Sequence, residues 1–206
     1  MPSQLRCNDL QSGDIMVKVN DGSLVARLIK TGQTLFKEKN PDITHAGVMF
    51  DSNFIIEAQG SGIMANDLRV GNAAYNYYVY RCTNANLAQG AGTCAKMMFD
   101  IHALNGNLKY GLLGAIKSIL GSSGTPLTPD AMDKLLSRIL EGKGKSFFCS
   151  QFAVYVYQFV AEQLAIPAKD VFAVNDAKVP TSQLPELLMS KPALFNEIGW
   201  LFANER

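Results

Sequence analysis

Phe148-Cys-Ser-Gln-Phe152-Ala-Val-Tyr-Val156-Tyr-Gln-Phe-Val160-Ala-Glu-Gln-Leu164 decides how the chain is read. Phe148, Phe152, Val156, Val160 and Leu164 recur every fourth residue, with Tyr155 and Phe159 filling in beside them. That spacing predicts a long helix, apolar over much of its circumference, and such a helix belongs in the middle of a domain. Cys149 stands at or just inside its start, where unpaired backbone N–H groups and the helix dipole favour an anion and lower a thiol pKa. Most cysteines are simply small buried hydrophobes. Position at a helix start sets this one apart as a candidate nucleophile.

Upstream, the periodicity changes. Ile15, Val17 and Val19 alternate with Met16, Lys18 and Asn20, a period of two that predicts a strand. Residues 43–50, 53–59, 62–68 and 75–82 are short β-branched or aromatic runs punctuated by Asp-Ser-Asn, Gly-Ser-Gly and Gly-Asn, which predicts an antiparallel meander. Leu87 to Leu104 is rich in Ala, Met and Leu and stops at Asn105-Gly106, so it reads as a helix. Leu24 to Phe36 allows a short helix, Leu112 to Leu120 reads as a helix, and Thr128-Pro129-Asp130 caps an exposed one running to Leu140. The tail, with Pro167, Pro180, Pro185 and Pro192, predicts short helices and loops wrapped over the core. Fold class is therefore α+β.

Composition narrows the function. Of 206 residues, 48% are hydrophobic and 18% charged, which excludes a disordered chain. Net charge is +1 without a clustered Lys/Arg stripe, so nucleic acid is not an expected partner. No apolar run reaches the ~18 residues of a membrane span, so stable membrane insertion is not expected. The first ten residues lack a secretory pattern, which leads to the expectation of a protein cytoplasmic as synthesised, with its four cysteines reduced. No Cys-x-x-Cys pair occurs and there are only two histidines, so neither a metal site nor a cofactor is expected. Gly142-Lys-Gly-Lys-Ser146 lacks the first glycine of a phosphate loop, Ile139 standing in its place, and reads as a basic hinge.

A thiolate needs a base, and His45, in Thr44-His-Ala-Gly-Val-Met-Phe50, is flanked by small residues that leave access for a substrate. His102 lies in a helix among Ile101, Ala103 and Leu104 and reads as structural. An imidazole works best when a third group fixes its tautomer, and the next strand offers Glu57 and Gln59. With a three-residue loop at Asp51-Ser52-Asn53, His45 faces Gln59 and lies diagonal to Glu57 on the same side of the sheet. A two-residue loop would throw Glu57 to the opposite face.

Gly13-Asp14-Ile15, Thr44-His45-Ala-Gly47-Val48, Ile55-Ile-Glu57-Ala58, Tyr78-Val-Tyr-Arg81 and Phe148-Cys149-Ser150-Gln151-Phe152, in that order, resemble the circularly permuted papain-like hydrolases of the NlpC superfamily. That group includes YiiX/YebB-like proteins and, more distantly, the lecithin:retinol acyltransferases. Histidine before cysteine is the mark of the permutation. The resemblance spans residue 9 to about residue 190, and Val179-Pro-Thr-Ser-Gln-Leu184 is similar to the family's closing segment. It implies a single permuted papain-like domain over 1–206, with an antiparallel meander or barrel packed on the central helix and a helical insertion or lid at about 111–145. It implies Cys149 as nucleophile, His45 as base and Glu57 as orienter, with the N–H groups of Cys149 and Ser150 as oxyanion hole. Gln59 and Tyr110 are candidate substrate contacts.

The activity implied is a thiol amidase or endopeptidase, with peptidoglycan stem-peptide bonds as the substrate. Such a protein fits an antibacterial toxin delivered to a target-cell periplasm by a specialised secretion system, with a cognate immunity protein as partner. Two alternatives stand beside it: a lipid acyltransferase or deacylase, motivated by the apolar stretch 112–120, and a non-catalytic binding module.

Overall fold

The computed structural model describes residues 3–19, 43–59, 62–103, 149–174 and 179–202. The expected elements at 24–36, 112–120 and 130–140, the insertion at 111–145, Tyr110 and the basic hinge lie outside these residues.

Seven strands form one sheet: β1 Ser3–Leu5, β2 Ile15–Val19, β3 Ile43–Met49, β4 Phe54–Gln59, β5 Gly62–Asp67, β6 Tyr77–Cys82 and β7 Phe195–Leu201. Their order is β1-β7-β6-β2-β3-β4-β5. The helices are α1 Ala85–Ala103, α2 Cys149–Gln163, α3 Ala168–Val171 and α4 Leu184–Met189, with 3-10 turns at Cys7–Asp9 and Thr181–Gln183. The class is α+β, as the two periodicities indicated.

The sheet corrects the meander or barrel in two ways. It is open, with β1 at one edge and β5 at the other, and it is mixed, because β1 runs parallel to β7. The tail is not only helices and loops: its last strand inserts between β1 and β6. This strand was hidden because a register shift between Val79 and Tyr80 breaks its alternation against β6. Gly199 further interrupts it, with φ at +150° and space for no side chain, since a Cβ would meet the Ser3 carbonyl oxygen at 1.9 Å. Close backbone approach, not side-chain pattern, fixes that edge.

α1 and α2 pack against each other and on one face of the sheet. Phe152, Val156 and Val160 are buried on α2, and so are Ala153, Val154, Tyr157 and Ala161, as a helix apolar nearly all round requires. Tyr157, Phe172 and Phe195 form an aromatic cluster with centroids 5.2–6.3 Å apart, tying α2 to β7. The Tyr157 hydroxyl donates to the Gly13 carbonyl and so anchors α2 to the turn before β2. Gly13 has φ +87° and lies against the α1 backbone, where a Cβ would sit 2.2 Å from the Ala88 oxygen. A second, smaller core of Met16, Met49, Ile55, Leu68, Tyr77, Val79 and Leu201 covers the other face, which is why Met16 is fully buried although it alternates with Ile15 and Val17.

Candidate active site

Phe50 N–H bonds to the Phe54 carbonyl, so Asp51-Ser52-Asn53 is a three-residue loop, held by Asp51 accepting from the N–H groups of Asn53 and Phe54. The β3–β4 register then pairs Gly47 with Glu57, Val48 with Ile56 and Met49 with Ile55. This is the register that sets Glu57 diagonal to His45. Gly47 makes the diagonal passable: a Cβ there would lie 2.7 Å from Glu57 Cγ, so the glycine leaves room for the carboxylate to cross β3. His45 Nε2 lies 3.2 Å from Glu57 Oε1.

Glu57 is buried and held from its other side. Its Oε2 accepts from Asn66 Nδ2 at 2.7 Å and from Asn72 Nδ2 at 2.9 Å, and Asn72 also donates to the Tyr77 hydroxyl. Burial pushes the carboxyl up, but His45, Asn72 and Asn66 outweigh it and hold the group below the usual carboxylate range. Neither asparagine had been singled out. The available signal was polar amides at Asn66 and Asn72 flanking a turn, one of them in a strand.

Cys149 opens α2 and its side chain is buried. It hydrogen-bonds His45, and with Nε2 turned to Glu57 the nitrogen left for sulfur is Nδ1. Thr181 Oγ1 lies 3.2 Å from the sulfur, and the Ala46 backbone N–H also bonds to it. Burial raises the thiol pKa, but His45, Thr181 and the Ala46 N–H together bring it below its ordinary value. Burial likewise opposes protonation of His45, yet Cys149 and then Glu57 push its pKa up to about 10. The two shifts run in the directions that favour a thiolate beside an imidazolium, each stabilising the other.

Thr181 was missed as an individual residue, although it lies in Val179-Pro-Thr-Ser-Gln-Leu184. Ser150 Oγ fixes that segment by donating to the Val179 carbonyl at 2.6 Å, and it approaches Thr181 Oγ1 at 3.4 Å. Gln59 is half-buried at the end of β4, and no hydrogen bond joins it to His45 among the described residues. His102 packs its ring on Gly62. All four cysteines are free, and burial pushes Cys94 up to about 12 and Cys82 to about 11. No cluster of metal-ligating side chains is found among the described residues.

A cleft of about 720 Å³ opens elsewhere, beside the Asp14–Arg81 ion pair, and Cys149, His45 and Glu57 do not line it. No protein-family model, no curated protein and no solved structure matches the chain significantly.

Proposed function

We propose that the protein is a cysteine hydrolase of permuted papain-like type acting on amide bonds. One observation carries the reading: Cys149, His45 and Glu57 come from three separate elements and meet with the thiol pKa lowered, the imidazole pKa raised and the buried carboxyl pKa lowered. Burying three dispersed ionisable side chains is costly, and groups with pKa values displaced in mutually supporting directions concentrate at functional sites.

In the proposed reaction the Cys149 sulfur attacks the substrate carbonyl carbon and the C–O π electrons move to oxygen. The Cys149 and Ser150 N–H groups stabilise that oxyanion, each donor contributing about 3 kcal/mol. On collapse, the C–N bond breaks, His45 gives its proton to the departing amine, and a thioester remains. His45, now neutral, takes a proton from water, and the hydroxide displaces Cys149 as thiolate. Glu57 keeps the ring oriented and stabilises the imidazolium at both ends of the cycle.

Peptidoglycan stem-peptide amides are the proposed substrate, with action as an antibacterial effector restrained by an immunity protein. The lipid acyl alternative rested on 112–120, outside the described residues, and no observation favours it. The test is export of wild type, Cys149→Ala and His45→Ala to the periplasm of a Gram-negative host, with the muropeptide profile as readout. Lysis and newly cleaved stem peptides with wild type alone are expected; an unchanged wall with all three folded proteins removes the peptidoglycan substrate.

A further inference from the structure

The row of side chains that begins at the nucleophile does not end there. Ala46, whose N–H bonds to Cys149, pairs with Val17, Val17 with Tyr78, and Tyr78 with Trp200, on four successive strands β3, β2, β6 and β7. Directly paired residues share one face of a sheet, and Cys149, Val17, Ala46 and Tyr78 belong to the same core on the helix-bearing face. At the usual strand spacing, Tyr78 lies about 10 Å and Trp200 about 14 Å from Ala46 along the row.

At its far end the row becomes aromatic and partly open. Tyr78 and Trp200 lie with centroids 3.6 Å apart, and Trp200 and Phe202 stack at 5.8 Å with planes 6° apart. Tyr78 and Trp200 are half-buried, and Phe202 is 40% exposed. Beside them Glu197 is half-buried, accepts one hydrogen bond, from Tyr80 Oη at 3.1 Å, and pairs with no cation among the described residues. Its charge reaches Tyr78, whose phenol is raised first by burial and then by Glu197. Aromatic faces attract a cation, and a carboxylate with unused lone pairs adds acceptors that only an N–H-bearing cation can use.

We propose that Tyr78, Trp200, Phe202 and Glu197 form a subsite for a primary ammonium group on a peptide. Resting on the hydrolase reading, that ammonium belongs to a side chain at least three residues from the scissile amide, because an extended peptide rises ~3.3 Å per residue and must pass around the buried Ala46 and Val17. The free lone pairs of Glu197 favour a primary over a quaternary ammonium, and so a peptide amine over a choline headgroup.

Trp200 is the single tryptophan of the chain, so its fluorescence reports this place alone. In Cys149→Ala protein, which turns nothing over, the probes are Nα-acetyl-lysine methylamide, its neutral counterpart Nα-acetyl-norleucine methylamide, and phosphocholine. The lysine compound is expected to give a saturable change and to bind at least about tenfold more tightly than either other probe, with the response lost in Glu197→Gln. Equal binding of norleucine, equal or tighter binding of phosphocholine, no saturable response, or an unaltered titration in Glu197→Gln overturns the subsite. Should Glu197→Gln fail to fold by circular dichroism, Phe202→Ala takes its place; about threefold weaker lysine binding is then expected and an unchanged value overturns the proposal. Binding without hydrolysis by the wild type would sink the hydrolase and keep the amine site, and hydrolysis without discrimination between probes would do the reverse.

Discussion

Asp14 and Glu57 are two carboxylates buried to the same degree, each 1% exposed, one just before β2 and the other in β4, and their environments drive them in opposite directions. Asp14 accepts from Arg81 Nε at 2.8 Å and Nη2 at 2.7 Å, yet burial prevails and its pKa rises. Arg81 is partly exposed, so its charge is shared with solvent. Glu57 faces a mostly buried imidazolium and two asparagine amides, and its pKa falls. The thiols repeat the lesson: burial alone carries Cys94 up to about 12, while Cys149, equally enclosed, is held below its ordinary value by His45, Thr181 and Ala46. Burial amplifies whatever partners are present. The Asp14–Arg81 corner, in which Arg81 also donates to the Asp9 carbonyl, braces the chain; the Glu57 end gathers an imidazole and two amides around one carboxylate.

The largest effect expected from breaking this contrast is loss of turnover. Cys149→Ala and His45→Ala should each lower kcat by about 10³–10⁶ on any amide the wild type cleaves, whereas Cys94→Ala should leave it within about twofold. Equal losses for Cys94 and Cys149 would remove the distinction between the two thiols.

Glu57→Gln should cost about 10²–10⁴ in kcat, because the ring loses its charged partner while the shape is kept. Glu57→Ala should in addition destabilise the fold by about 3 kcal/mol in a urea titration, since it strands His45 and two amides. A Glu57→Gln enzyme with unaltered kcat would reduce the carboxylate to packing.

The opposed shifts of Cys149 and His45 set the pH dependence. With the Cys149 pKa depressed, its alkylation by iodoacetamide should reach its plateau at a lower pH than that of an ordinary thiol, which gains tenfold per unit up to its pKa. His45, raised to about 10, contributes stability that is complete below its unfolded value and is lost as pH rises through about 10. Glu57, lowered, contributes stability present above the ordinary carboxylate value and lost as pH falls through its folded one. His45→Gln should therefore flatten the alkaline limb of a stability curve; a limb that persists unchanged would assign it elsewhere.

Thr181→Val should lower kcat about tenfold and move the midpoint of Cys149 alkylation upward, by removing a hydrogen bond to the charged sulfur. A loss of activity with no shift of that midpoint would mean that Thr181 only packs. The smallest effect belongs to Asp14→Asn: stability should change by about 1–2 kcal/mol, with alkylation rate and kcat within about twofold of wild type. A large catalytic loss there would show that the two carboxylates are not independent.

Much of this was legible in residue order. The period-four run from Phe152 to Val160 marked α2, since a helix apolar nearly all round has nowhere to go but the core. The Asp51-Ser52-Asn53 loop was enough to fix the Glu57 register, because strand periodicity leaves only two choices of face. β7 was not legible: its register shift and Gly199 remove the alternation that announces a strand. Asn66, Asn72 and Thr181 were equally silent, because an amide or hydroxyl becomes a partner only when the chain delivers it to a buried charge.

Sequence by itself determined the α+β class, the helix that Cys149 opens and the diagonal of His45 and Glu57, all set by local periodicity and turn length. Tertiary structure alone decided that Cys149 meets His45, that His45 and two asparagines lower the Glu57 pKa, that Thr181 reaches the sulfur, and that the sheet stays open with β7 inside it. Those contacts join residues distant in the chain, and their energies depend on distance and shared burial, which residue order does not encode locally.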